Sequence, residues 1–246
     1  MCKVIAVASG KGGTGKTTTV AAISSCLAAL GYRTLCIDFD FGLKNLDLSL
    51  CMVDYTIADF VDVVSGRMGL MDACCENEQI EGLFFLSAPS SFASDELSIE
   101  ALRPMFDEIR QEFDYCLIDT PSGIGKGFRF AHAYTDMSVI VTTGEAPAIR
   151  DAQQAVSVAY NLGVKELRLL INRIRRRNFK WLRLTVDDVI NAIGVRLIGI
   201  VPEDRAVFQA LHASIPLVLY TKRNAIYEFL DAARRLTGED VPLRIR

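Results

Sequence analysis

The chain has 246 residues, is 50% hydrophobic and carries a formal net charge of −3, which suits one large α/β domain with a buried sheet and excludes a global field drawing it to nucleic acid or acidic membrane. Its apolar runs are about five to eight residues long, far short of the ~20 that span a bilayer. Seven cysteines without a C-x-x-C pair exclude a disulfide framework or zinc site, and an N-terminus that enters a strand at once leaves no room for a signal peptide, so the expected location is the cytoplasm.

In chain order, an apolar run at 3–8 is followed by a glycine-rich stretch. After it Val20, Ile23, Leu27 and Leu30 recur at helical spacing until Gly31, predicting an amphipathic helix. Further β-rich runs at 34–37, 83–87, 115–118, 138–142, 168–171 and 196–201 predict strands. Helical periods lie between them: Ile57, Phe60, Val61 and Val64 form one, and 148–162 another. Pro104 either begins a helix or kinks one. A last helix over 223–236 places Ile226, Phe229, Leu230 and Ala233 on one face and Glu228, Asp231, Arg234 and Arg235 on the other. That pattern suits packing against the domain and not insertion into a membrane. The alternation predicts an α/β fold with a mostly parallel central sheet and helices on both faces. No repeat or linker interrupts it, so 1–246 reads as a single domain.

The stretch Gly10-Lys11-Gly12-Gly13-Thr14-Gly15-Lys16-Thr17-Thr18 fits the phosphate-binding pattern G-x-x-x-x-G-K-[ST]. Glycines let successive N–H groups converge on phosphate oxygens, and the positive end of the following helix strengthens the site. Lys16 would reach the outer phosphates and the Thr17 hydroxyl would hold Mg²⁺. A plain surface loop rich in Gly and Thr would lack the strand before it and the helix after it. Two predicted strands then end in acids: 35–37 runs into Asp38-Phe39-Asp40, and 115–118 into Asp119-Thr120-Pro121-Ser122-Gly123. Ligands of open α/β sheets bind beyond the carboxyl ends of strands, where such acids help anchor Mg²⁺ through its water shell. Taken singly, each Asp could be a cap or turn residue. Cys36 and Cys116 fall inside predicted strands as small core residues. The adjacent Cys74 and Cys75 are either redox-active or a partly buried structural pair.

These motifs resemble the deviant Walker A P-loop ATPases of the MinD/ParA superfamily, and within them the MinD family of bacterial division-site ATPases. Lys11 to Thr17 matches the family's K-G-G-x-G-K-[ST]. The stretch 38–47 resembles the MinD second motif more than the D-x-D-P-Q-x-N form of partition proteins. Residues 119–124 resemble its Walker B segment, and 171–173 and 200–204 its adenine-side elements. The resemblance implies bound ATP or ADP with Mg²⁺ and a phosphate cradle of Gly12, Gly13, Thr14, Gly15, Lys16, Thr17 and Thr18. It implies Mg²⁺ held by Thr17, with Asp38 and Asp119 acting through water, and an attacking water oriented by Asp40. Lys11 would cross a dimer interface to the partner's phosphates. Asn172 would hydrogen-bond the adenine, with Arg173 beside it and the backbone from Pro202 to Asp204 lining the pocket. The implied function is slow ATP hydrolysis gated by homodimerisation, serving septum placement through protein regulators. The rival readings are a ParA-like partition ATPase, a flagellar-number regulator acting on DNA or a protein cargo, and a cluster-carrying relative. Phe41-Gly42-Leu43-Lys44-Asn45 argues against the partition form, and no cysteine lies at 121–127 to hold a cluster.

The family usually ends in a basic amphipathic helix that anchors it to the membrane. Here Gly238 and Pro242 oppose a helix over 236–246, so either the anchor was removed from this sequence or a membrane contact takes another route. One is the basic loop in which Arg173, Arg175, Arg176, Arg177, Lys180 and Arg183 surround Phe179, Trp181 and Leu182. It would engage anionic lipid, or DNA backbone as a less favoured target, or else be a solvated connection with its aromatics tucked away. His132 and His212 suggest no motif and read as packed or surface residues. Arg150-Asp151 resembles a segment where the family meets its partners; a helix-start charge pair accounts for it equally.

Overall fold

A computed structural model describes residues 2–41, 44–53, 58–89, 98–175 and 185–243. Within them the β-rich runs become β1 (Lys3–Ala8), β2 (Thr34–Asp38), β4 (Leu83–Leu86), β5 (Tyr115–Asp119), β6 (Met137–Thr142), β7 (Glu166–Ile174) and β8 (Arg196–Pro202). An eighth strand, β3 (Cys75–Glu76), is added at one edge. The sheet order is β3-β4-β2-β5-β1-β6-β7-β8. All pairings are parallel except β3 with β4, which is antiparallel. A strand of two residues shows no period, which is why β3 escapes a sequence reading. Burial pushes the Cys74 thiol beside it up to about 12, which keeps that sulfur protonated and unreactive.

The helices are α1 (Lys16–Ala29), α2 (Leu46–Ser49), α3 (Phe60–Val64), α4 (Leu70–Ala73), α5 (Arg103–Glu112), α6 (Lys126–His132), α7 (Ala146–Asn161), α8 (Val186–Ile193), α9 (Arg205–His212), α10 (Leu217–Tyr220) and α11 (Ala225–Leu236), with a 3₁₀ turn at Glu100–Leu102. Ile57 of the expected helix lies outside the described residues. Its neighbour Phe60 opens α3, whose start is set by a capping box between Asp59 and Asp62. Pro104 sits in the first turn of α5, where its missing N–H costs nothing, so it begins the helix and does not kink it.

Side chains of successive strand residues alternate between the two faces of the sheet. Ile5, Cys36, Leu117 and Val139 face α1 and α11. Val4, Leu35, Cys116 and Ile118 face α5, and Ile140, Leu169 and Ile171 face α7 and α8. Two expectations are corrected here. α1 is not amphipathic: every residue from Thr19 to Ala28 is buried, because the sheet covers one side and α11 the other. Its Ser24 and Ser25 hydroxyls are satisfied by the carbonyls of Val20 and Ala21. Asp231 likewise does not lie on a solvated face; α11 packs closely enough to bury it at 2% exposure. Of the two histidines, His212 is exposed. His132 is buried and stacked on Phe128, with Nδ1 2.7 Å from the Phe128 carbonyl and Nε2 3.0 Å from Ser138 Oγ. Burial lowers its pKa to about 4, so it is a neutral core residue.

β1 lies between β5 and β6. The chain leaves it toward β2 on one side and later fills β6, β7 and β8 on the other. This reversal opens a crevice at the carboxyl ends of β1, β2 and β5.

Candidate functional site

The loop at 9–15 leaves the carboxyl end of β1 and feeds directly into α1. Gly13 (φ +79°) and Gly15 (φ +93°) take left-handed backbone that a side chain would strain. The Gly15 carbonyl accepts both the backbone N–H (2.9 Å) and the hydroxyl (2.8 Å) of Thr19, closing the first turn. The first N–H groups of α1, which have no partner within the helix, face outward as a ready anion cradle.

The loop is also held from outside by β7. Asn172 Nδ2 donates to the Thr14 carbonyl at 2.9 Å, while Asn172 Oδ1 accepts the Arg173 N–H at 2.9 Å. The Arg173 guanidinium donates to the Gly13 carbonyl at 3.1 Å and reaches Glu203 at 3.3 Å. Arg173 stands at φ 57°, uncommon for a residue with a Cβ, where the register of β7 against β8 is broken between Ile171 and Ile174. The irregularity turns both side chains onto the loop.

A cavity of about 510 Å³ gathers most of the sequence-predicted site residues. Gly13, Gly15, Lys16, Thr17 and Thr18 form one wall, with Asp40 at one end; Asn172, Arg173, Pro202 and Asp204 line the opposite side. Lys11, Gly12 and Thr14 line a different cavity of about 230 Å³ on the outer side of the loop, together with Thr143, Glu145 and Arg175. Gly13, Arg173 and Glu203 border both cavities and form the wall between them. Asp38 and Asp119 line neither cavity; they are 1% and 2% exposed beneath the loop. Asp204 caps α9 by accepting the Ala206 N–H at 2.9 Å and also takes the Ala225 N–H at 3.2 Å. Glu203, inside the expected 202–204 stretch, belongs to the larger cavity too; so do Ser122 and the apolar Val207, Phe208 and Leu211, to which sequence reasoning gave no role. The spacing of the last three, directly after Asp204, was the available signal. Of the basic loop, 176–184 lies outside the described residues; Arg175 is ion-paired with Glu203.

The electrostatics follow from register. Asp38 on β2 and Asp119 on β5 are direct neighbours across the ladder. Burial first, then the Asp119 charge, raises the Asp38 pKa to about 7. Burial raises Asp119 to about 6, opposed by the Thr17 hydroxyl and the Lys16 ammonium. The Asp40 N–H donates to Asp38 Oδ1 at 2.8 Å. Lys16 is itself lowered by burial and raised in turn by Asp119 and Asp40, and its Nζ donates to Ser122 Oγ at 3.1 Å. Asp119 Oδ1 is buried without a hydrogen-bond partner. Two crowded carboxylates, one with an orphaned oxygen, beside a threonine hydroxyl fit a hard, oxygen-seeking dication reached partly through water.

These shifts have a measurable consequence. Because the folded protein holds these protons up to about pH 6 and 7, metal-free stability falls as pH rises from the ordinary carboxylate range toward 7. A dication favours the ionised carboxylates and expels the protons. Mg-ADP binding at pH 6 is therefore expected to release on the order of one proton, falling toward zero at pH 8. Calorimetry in two buffers of different ionisation enthalpy reads this directly, and Asp38→Asn should reduce it. Equal release at both pH values would remove the carboxylates from the cation site.

Residues 5–217 match the CobQ/CobB/MinD/ParA nucleotide binding domain. The septum site-determining protein MinD of Bacillus subtilis is 36% identical over 249 residues, covering 100% of this chain and 92% of that one. Among solved structures, one chain of the MinC:MinD cell division protein complex of Aquifex aeolicus superposes with a TM-score of 0.91 at 34% identity, covering 99% of this chain and 98% of that one. MinD from Pyrococcus horikoshii, solved with Mg-ADP, gives 0.84 at 26% identity, with 96% of each chain covered.

Proposed function

The chain belongs to the CobQ/CobB/MinD/ParA family of nucleotide-binding domains, in its MinD branch of cell-division proteins, and from that premise we propose that residues 1–246 form one ATPase domain acting as an ATP-dependent dimerisation switch in septum placement. The observation that carries this reading is the meeting, at one end of the sheet, of a strapped phosphate loop with a buried carboxylate pair joined by strand register.

In this reading the N–H groups from Gly12 to Thr18 take the phosphates, and Lys16 neutralises charge on the outer two. Thr17 would hold Mg²⁺, with Asp38 and Asp119 supporting it through water; the ion, when bound, supplies charge neutralisation at the transferred phosphate. Asp40, at the edge of the larger cavity, orients the attacking water. Asn172 already spends one amide hydrogen on Thr14, which leaves the other for the adenine, and Arg173, Pro202 and Asp204 border the same space. Phosphoryl transfer asks mainly for positioning and charge neutralisation, and these groups provide both. Lys11 projects to the other side of the loop, so it serves a second protomer's nucleotide and not its own.

The Aquifex aeolicus relative was solved in complex with MinC, which supports a division-site regulator as protein partner here. Among the described residues no helix is long and apolar enough to cross a membrane; a cytoplasmic protein that visits the membrane surface peripherally is the location we infer. The test is phosphate release from Mg-ATP by the purified chain, paired with co-sedimentation on anionic liposomes in Mg-ATP and in Mg-ADP. Slow Mg-dependent turnover with ATP-dependent sedimentation is expected. Absence of turnover even with liposomes and regulator present would overturn the ATPase reading, and sedimentation indifferent to nucleotide would overturn the membrane cycle.

A further inference from the structure

We propose that Ser122 reads the terminal phosphate of ATP: its hydroxyl donates a hydrogen bond to that group and so sets a preference for triphosphate over diphosphate. The inference rests on the nucleotide reading of the cleft and gives a role to a residue that lies inside the 119–124 segment but to which the motif assigned none.

The argument begins with one contact. Lys16 Nζ lies 3.1 Å from Ser122 Oγ. An ammonium only donates, so the serine oxygen accepts and its own proton is left to point elsewhere. Among the described residues no acceptor takes that proton. The side chain is exposed and lines the same cavity as Lys16, Thr17 and Asp40. It is therefore a donor aimed at open space beside the one amine that reaches outer phosphates in loops of this kind.

Its place along the nucleotide follows from the loop. A Cβ built on Gly12 would lie 3.4 Å from Ser122 Oγ, so the hydroxyl stands between the early part of the loop and the Lys16 ammonium, on the cleft side and beyond the helix start where the inner phosphates seat. In this reading a diphosphate ends before that point and a triphosphate reaches it.

The backbone that carries this hydroxyl is also held in position before any ligand arrives. Thr120 is tied to the Val7 carbonyl of β1 through its N–H (3.3 Å) and its hydroxyl (3.0 Å). Pro121 lies so close to Gly127 in α6 that a Cβ there would come within 2.5 Å of the proline ring. Gly123, at φ +88°, then turns the chain away. Ser122 is thus pinned between β1 and α6, and a donor fixed in advance needs little reorganisation to meet the phosphate.

A hydrogen bond to a charged oxygen, made by ATP and not by ADP, predicts about a tenfold loss of triphosphate affinity in Ser122→Ala. Affinities for a non-hydrolysable ATP analogue and for ADP, both with Mg²⁺, are to be measured by calorimetry at protein concentrations that keep the chain monomeric. The expected result is a roughly tenfold weaker analogue with ADP within about twofold of wild type, and recovery of the ratio in Ser122→Thr. Intact ADP binding also shows that the variant is folded. Equal weakening of both nucleotides, or an unchanged ratio while wild type binds both, overturns the role of Ser122 and leaves the nucleotide reading standing. A wild-type chain that binds neither nucleotide overturns both.

Discussion

Gly10→Ala is expected to destabilise the protein by about 3 kcal/mol and to weaken Mg-nucleotide binding by more than tenfold. A Cβ at Gly10 would stand 2.2 Å from the Asp151 carbonyl oxygen, 2.6 Å from its carbonyl carbon and 2.7 Å from its Cβ. The first two atoms are backbone of α7, so no rotamer change relieves the clash. α7 does not yield easily, because Ala148, Ile149, Ala152, Ala155 and Ala159 seat it in the core against β6 and β7. The loop must therefore move, and with it the carbonyls of Gly13 and Thr14 that Arg173 and Asn172 hold. Gly13→Ala is the control: it has φ +79° but nothing within 4 Å of the added methyl, so only the left-handed penalty of about 1 kcal/mol applies. Urea denaturation and ADP affinity, measured on both variants, separate the two causes. If Gly10→Ala proves as mild as Gly13→Ala, close approach to α7 is not what demands glycine there.

The contrast between these glycines marks what could be read from the sequence. Strand, loop and helix at 3–29 are adjacent along the chain, and each strand-ending acid is announced by the apolar run before it, so local pattern was enough to place the glycine loop between β1 and α1 and Asp38 and Asp119 at the ends of their strands. What could not be read depends on distant partners. The strap on the loop joins residues 158 and 160 positions apart. α1 looks one-sided in sequence and is buried all round because α11, far along the chain, covers its other face. Asp231 reads as solvent-facing for the same reason. Gly10 fits the motif as a loop glycine, yet its neighbour is α7. Ser122 is one serine in a turn until the fold sets it against Lys16. The two lysines of the motif look equivalent in sequence, and the fold sends them into different cavities.

That divergence leads to the second large effect. Lys11→Ala is expected to leave ADP affinity within about twofold of wild type while weakening the ATP-dependent dimer by at least roughly thirtyfold, the low end for removing one partner of a charge pair buried at an interface. Lys16, buried beside Asp119 and Asp40, contacts Ser122 within its own cleft. Lys11 is exposed, and only its backbone is fixed, by the Ser9 hydroxyl donating to its carbonyl at 2.6 Å. It lines the outer cavity, across the Gly13–Arg173–Glu203 wall from the larger one. In the proposed dimer, an ammonium placed there would gain little from its own protomer's phosphates and most from phosphates brought by a second copy, desolvated as the interface closes. Turnover should fall with the dimer, by about a hundredfold if the missing cation acts on the transferred phosphate. Sedimentation velocity in Mg-ATP and in Mg-ADP, alongside phosphate release, reads both effects. An unimpaired ATP dimer in Lys11→Ala would take this lysine out of the interface and leave dimerisation to the apolar and backbone surfaces around the loop.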